Sequence, residues 1–253
     1  MQTIHKISGY IATLYLIHYH KNNNLLLLDS GCSCDVKIVK NYIETILQLK
    51  IENLKLVCIS HAHPDHSGGA SYYKKKYGVP IAGNPSLNYW YKGFSGFITY
   101  IIDIMLTYLV AKKKKKGFAN IYFPRKVELD ILLSDNMPLP NFNDWLTLLT
   151  PGHTDSDLTF FNKDLSVAYI GDKIISAPPA YFRPYPISKP DEYKKSLQKF
   201  IDLKISTFLL AHNGERKIPD KLFSTLINST PSSPRVHKSD LFRILSGILN
   251  PFK

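Results

Sequence analysis

The chain has few cysteines, far fewer acids than bases, no repeat at a solenoid period and no long uncharged apolar run. Its three cysteines, Cys32, Cys34 and Cys58, are too few and odd in number for a disulfide framework, as is ordinary for a reduced, cytoplasmic protein. Cys32-Ser33-Cys34 suits either a pair of thiol ligands or small residues in the turn after a strand, and the turn is the simpler reading. The early apolar run Tyr10 to Ile17 lacks a basic lead-in and a small-residue cleavage site, so a strand is expected there and not a signal-peptide core. The most apolar stretch, Phe94 to Ala111, is interrupted by Asp103 and falls short of the roughly twenty uncharged residues that a membrane span requires.

Twenty acids against 32 bases leave a formal charge of +12 and a pI near 9.4. Such a surface draws anionic partners, whether nucleic acid, anionic lipid or an acidic small substrate, and sign alone does not choose among them. Part of the excess is one run, Lys112 to Lys116, so the remaining surface is less basic than the total suggests.

What is present is enough apolar material, 44% of 253 residues, to bury a sizeable core. Tyr10 to Tyr19 and Leu25 to Asp29 are β-leaning runs joined by the turn residues Lys21 to Asn24, which predicts an antiparallel opening. His18 and His20 share one strand face there, as solvent-facing residues or as a chelating pair. Helical spacing of Val36, Val39, Ile43, Ile46 and Leu47 predicts a helix over 35–49 with Asp35 as N-cap. A buried strand follows over 54–60, a helix over 70–77 and a strand over 79–82. Further strands are expected over 127–133, 145–149, 158–162, 167–170 and 207–210, with helices over 191–203 and 219–227. Residues 1–228 are expected to form one domain with an apolar and basic insert at about 93–126. Residues 229–253 would supply a linker and an amphipathic helix carrying Leu241, Phe242, Leu245, Ile248, Leu249 and Phe252.

The chemistry centres on the end of the strand over 54–60. There the sequence runs Ile59-Ser60-His61-Ala62-His63-Pro64-Asp65-His66-Ser67-Gly68-Gly69, with four metal-binding side chains in six residues. Other strands end in Pro151-Gly152-His153-Thr154, in Gly171-Asp172 and in Ala211-His212-Asn213-Gly214. Together these motifs resemble the metallo-β-lactamase superfamily, over a stretch from Asp29 to about His212. The resemblance implies an α+β fold, a four-layer αβ/βα sandwich with two zinc ions at one edge of its sheets. It implies that His61, His63 and His153 hold one metal, that Asp65, His66 and His212 hold the other, and that Asp172 bridges them. Asp29 resembles the acid that orients a histidine ligand in this family, and it equally suits a turn-capping role.

Neutral imidazoles with carboxylates suit zinc, and a position left to water makes such a site catalytic. The implied reaction is hydrolysis, with a metal-bound hydroxide attacking a carbonyl or phosphoryl group and Asp65 orienting it. The flavodiiron branch carries glutamate at the place of His63, so three imidazoles favour zinc hydrolysis over iron redox chemistry. The full ligand set resembles the glyoxalase II, lactonase and ribonuclease Z-like branches more than the antibiotic-cleaving enzymes, which usually lack the bridging aspartate. About forty residues after His212 are short for the glutathione-binding helical domain of glyoxalase II.

The leading expectation is a hydrolase of a small ester, thioester or lactone, with an acyl chain as an option. A ribonuclease, for which the basic run speaks, and a membrane-associated metal-binding module without activity are the alternatives. The insert is expected to overhang the metal site and offer an apolar wall, with Trp90, Tyr91 and Phe94 as substrate contacts alongside Tyr89, Phe97, Tyr100, Met105 and Tyr108. Three readings of residues 94–116 stay open: a cap or homodimer helix, a helix lying on an anionic membrane, and a span.

Overall fold

The computed structural model of the chain describes residues 1–177 and 180–236. The predicted C-terminal amphipathic helix lies outside the described residues. The chain divides into two compact units, Met1–Leu133 and Ser134–Lys253.

The first unit is built on a six-stranded sheet. Its strands are β1 (Gln2–Ser8), β2 (Thr13–Tyr19), β3 (Asn24–Leu28), β4 (Leu54–Ile59), β5 (Ile81–Gly83) and β6 (Ile131–Leu132), paired in that order. β1, β2 and β3 are antiparallel, whereas β3, β4, β5 and β6 run parallel. The antiparallel opening was expected; β1, with its polar Gln2, His5 and Lys6, was not. The parallel strands read as near-continuous apolar runs because both of their faces are covered: Leu25 to Leu28 and Leu56 to Ile59 are all buried. Because β3 and β4 are parallel, their C-terminal ends lie at the same edge of the sheet. That edge receives Asp29 from one strand and the histidine motif from the other.

Helices α1 (Asp35–Asn41), α2 (Pro64–Ser67), α3 (Ala70–Tyr77) and α4 (Gly93–Lys113) complete this unit. Asp35 is the first residue of α1 and not its cap: its carboxylate accepts the backbone N–H groups of Tyr10 (2.6 Å) and Cys32 (2.9 Å) from outside the helix. The expected helix over 35–49 changes into a π-helical turn at Tyr42–Ile46. Cys32 is buried in the turn before α1, and all three cysteines are free thiols. His18 bonds Asn23 and His20 bonds Thr3, so each of these histidines has a polar partner of its own.

The second unit holds a sheet of β7 (Met137–Leu139), β8 (Phe142–Leu149), β9 (Leu158–Asn162), β10 (Val167–Tyr169), β13 (Thr207–Leu210) and β14 (Gly214–Arg216), in the order β14-β13-β10-β9-β8-β7. A short hairpin, β11 (Ile175–Ala177) and β12 (Ala180–Phe182), follows β10. Helices α5 (Pro190–Asp202) and α6 (Asp220–Asn228) pack on the core through Tyr193, Leu197, Phe200, Phe223 and Leu226. β9 is antiparallel to β8 and β10, and β13 is parallel to β10. The C-terminal ends of β8, β10 and β13 therefore share one edge. From them emerge His153, Asp172 and His212.

Candidate metal centre

In the first unit, β4 ends at Ile59 and the chain turns at once into α2, with His63 as N-cap and Pro64 in the first turn, where proline's missing N–H carries no cost. This tight turn needs the glycines after it. A Cβ on Gly68 would lie 2.2 Å from the carbonyl oxygen of Pro64, and one on Gly69 would lie 2.5 Å from that of Ser30. The close approach places the backbone of His66 against Ser30, whose N–H and hydroxyl both donate to the His66 carbonyl at 2.8 Å.

Asp29 anchors the candidate ligands from beneath. Its carboxylate accepts the N–H of Ser60 at 2.6 Å, the hydroxyl of Ser60 at 2.7 Å and Nδ1 of His66 at 2.6 Å. A carboxylate in this position can only accept, so His66 carries its proton on Nδ1 and presents Nε2 as a lone pair. The Ser60 hydroxyl, having donated to Asp29, accepts from Nδ1 of His61 at 3.0 Å. His61 therefore also presents Nε2 as a lone pair. Asp29 thus orients two histidines, one directly and one through Ser60, and the capping alternative is not needed.

His63 lies beside them. Its Nδ1 is 3.1 Å from Nε2 of His61, and its Nε2 is 3.7 Å from the Asp103 carboxylate, beyond hydrogen-bond length. With a proton on Nε2 of His63, two imidazole lone pairs would face each other at 3.1 Å inside a buried site, an arrangement that a cation between them would stabilise. Asp65, buried, sits with its carboxylate 3.5 Å from Nε2 of His66. On donor chemistry and tautomer, this half-site fits a divalent metal ion.

The second unit repeats the logic. Nδ1 of His153 lies 2.7 Å from the Pro186 carbonyl oxygen, which can only accept, so Nε2 of His153 is again the lone pair. The His153 turn bends through Gly152 at φ +142°, where a Cβ would stand 2.5 Å from Cα of Tyr193 in α5. Asp157 closes the turn by accepting the N–H and hydroxyl of Thr154, and it receives Nζ of Lys173 at 2.5 Å. Burial pushes the Lys173 ammonium below its ordinary range, against the pull of Asp157. This buried pair ties the loop of His153 to the loop of Asp172, the residue before Lys173. Asp172 lies 3.9 Å from Nε2 of His153 and 3.3 Å from Nε2 of His212, between the two histidines as a shared carboxylate would.

The predicted substrate wall divides once the helix is formed. The ring of Trp90 is 5.7 Å from that of His63, and its Nε1 donates to Asp103 at 3.2 Å. Tyr91 is buried instead, and its hydroxyl donates to Asp103 at 2.8 Å. Phe94 is 81% exposed on the outer side of α4. Residues 94–108 follow a period near 3.6, so they split between two faces of the helix, with Tyr100 buried and Phe94, Phe97 and Met105 exposed. Ser60, Asp103, Asp157 and Lys173 were not singled out from the sequence as site residues. Only Asp103, the lone acid in an apolar run, carried a signal.

The family model of the metallo-β-lactamase superfamily matches residues 8–212. The chain belongs to this superfamily. A probable metallo-hydrolase of Bacillus subtilis (strain 168), YflN, is 22% identical over 232 residues, covering 83% of each chain. Among solved structures, a metallo-β-lactamase family protein from Thermus thermophilus aligns with a TM-score of 0.65 at 15% identity, over 98% of this chain and 83% of that one. An archaeal superfamily protein from Sulfolobus tokodaii aligns at 0.61 and 18%, over 90% and 86%. TTHA1623, solved in a di-iron-bound form, aligns at 0.57 and 17%, over 91% and 98%. These likenesses establish the metallo-β-lactamase fold, the fold class expected from the motifs.

Proposed function

We propose that this member of the superfamily is a dinuclear zinc hydrolase acting on a small ester, thioester or lactone. By the superfamily's pattern, His61, His63 and His153 would hold one ion, and Asp65, His66 and His212 the other, with Asp172 shared. The observation that carries the reading is the forced tautomer of three histidines: His61, His66 and His153 each spend Nδ1–H on a protein oxygen and offer Nε2 as a ligand. A hydrogen-bonded structural cluster has no need to turn every lone pair outward. Zinc bound there would act as a Lewis acid and supply a nucleophile at neutral pH.

The chain's own residues do the rest. Asp29 and Ser60 fix the ring planes of His61 and His66, so no reorganisation is required when charge develops. Asp103 accepts the Trp90 indole N–H and so keeps that ring beside His63, where it would give an apolar contact to the substrate's leaving or acyl part. Asp65 would orient a water for attack. Three free thiols agree with a cytoplasmic site of action.

The ribonuclease reading is weakened by the placement of two lysines in its basic run. Nζ of Lys114 bonds the carbonyl of Ile11 and Nζ of Lys116 that of Gly9, so part of the positive run serves to tie α4 to the loop before β2. The decisive assay offers zinc-loaded protein acyl-lactones, thioesters and structured RNA. Ester, thioester or lactone turnover that Asp65→Ala abolishes in a folded protein is the expected result. RNA cleavage with no ester-type activity would replace this reading by the nuclease, and no turnover of any kind would leave a non-catalytic metal module.

A further inference from the structure

Helix α4 is the longest in the described structure, and its two faces differ in kind. Gly96, Tyr100, Asp103, Thr107 and Ala111 are buried within their own unit. Tyr100 donates to the Phe123 carbonyl at 2.9 Å, and Asp103 receives Trp90 and Tyr91. The opposite face carries Phe94, Phe97, Ile101, Met105 and Leu109, exposed by 81, 42, 40, 46 and 50%. Spaced by three and then four residues, they form one apolar stripe of about 22 Å along the helix axis. An apolar patch of that continuity marks a binding face.

The charges around the stripe say what binds. Between Pro85 and Lys126 the only acid is Asp103, and it is buried; the same stretch holds eight cations, Lys92, Lys112 to Lys116, Arg125 and Lys126, of which Lys114 and Lys116 are tied to the carbonyls of Ile11 and Gly9. They stand at both ends of the stripe. Lys92 lies over the exposed ring of Tyr89 at 5.2 Å, Arg125 lies over the ring of Phe97 at 5.3 Å, and the lysine run closes the C-terminal end. A second copy would bring another cationic rim and a net +12 against this one. An anionic lipid surface brings the opposite sign.

We propose that α4 lies flat on an anionic membrane surface, its Phe94-to-Leu109 stripe entering the interface between head groups and acyl chains while the flanking lysines and Arg125 meet lipid phosphates. The helix does not cross. Its inner face is hydrogen-bonded into the first unit, and a crossing would strip those bonds and carry the Asp103 carboxylate into hydrocarbon. The proposal is independent of the hydrolase reading.

The test is co-sedimentation of the full chain with phosphatidylcholine vesicles, with or without one third phosphatidylglycerol. Binding is expected only to the anionic vesicles and is expected to weaken with salt. Two sets of exposed-residue variants separate the contributions: Phe94→Ser with Met105→Ser and Leu109→Ser, and Lys112→Glu with Lys115→Glu. Each set should lower the partition coefficient by about tenfold or more, with circular dichroism and metal content unchanged. Failure of the parent chain to bind anionic vesicles overturns the proposal, as does binding that neither set diminishes. A stable dimer that the apolar set dissociates would assign the stripe to a second copy and overturn it equally.

Discussion

Asp103 links helix α4 to the candidate metal centre, and replacing it separates two roles. Asp103→Ala leaves the Tyr91 hydroxyl and the Trp90 indole without the acceptor at 2.8 and 3.2 Å. Hydrogen bonds to an ionised acceptor contribute about 1.5–3 kcal/mol each, and relief of a buried carboxylate returns part of that, so a net loss of about 2–4 kcal/mol is expected. In a chain of this size that lowers the melting temperature by roughly 10 °C. The second is its approach to Nε2 of His63 at 3.7 Å, where its charge would favour a proton on that nitrogen and leave Nδ1 to a metal. Loss of such an outer partner weakens metal binding by about 10–100-fold. Asp103→Asn separates the two effects, because its amide oxygen still accepts from Tyr91 while its charge is gone; it should keep most of the stability and still lose zinc affinity. The measurements are urea unfolding of the metal-free protein and zinc competition against a chromogenic chelator. If Asp103→Ala and Asp103→Asn both bind zinc as the parent does, the carboxylate is a core hydrogen-bond acceptor only, and the assignment of the His63 tautomer is wrong.

Asp29→Ala should be more severe, since it strips three hydrogen bonds at once; a loss of about 3–5 kcal/mol in chemical denaturation is expected, together with loss of one bound metal. Gly152→Ala forces a side chain to a φ of +142° and against Tyr193 at 2.5 Å, and should cost about 3 kcal/mol or more by thermal melting, with wild-type stability refuting the turn geometry. Burial raises the Asp35 carboxyl from 3.8 to about 6, with its two backbone donors opposing the shift. A raised folded-state value means that its contribution is fully favourable below about pH 3.8 and is lost as pH rises through 6, a difference of about 3 kcal/mol. A carboxyl carbon titration of Asp35 by NMR should therefore show a midpoint near 6; a midpoint near the ordinary value of about 4 would remove the effect.

Much of the fold was legible because its signals are local. β3 and β4 announce themselves as unbroken apolar runs, and the candidate ligands stand at strand ends beside Gly68, Gly152 and Gly171, which their turns require. The less legible parts depend on partners distant in sequence. β1 pairs a polar strand to β2 through backbone bonds that no side-chain pattern reports. The Asp157–Lys173 pair joins residues 16 apart, and nothing near Asp157 marks it as the brace of the His153 turn. Asp35 looked like a helix cap because helix starts favour aspartate, yet its carboxylate serves Tyr10 and Cys32. The expected substrate wall gathers residues of two kinds for a related reason. Composition placed its aromatics together, whereas the helical period sends Tyr100 inward and Phe94 outward.

The proposed function requires the two sets of candidate ligands to bind two zinc ions. Elemental analysis of the full chain, purified without chelator and then equilibrated with zinc, tests it most directly. The expected result is two equivalents of zinc per chain, falling to one or none in Asp172→Ala while the secondary structure persists. Iron in place of zinc after growth with both metals available would contradict the zinc assignment, and a parent chain that holds no metal at all would contradict the whole account.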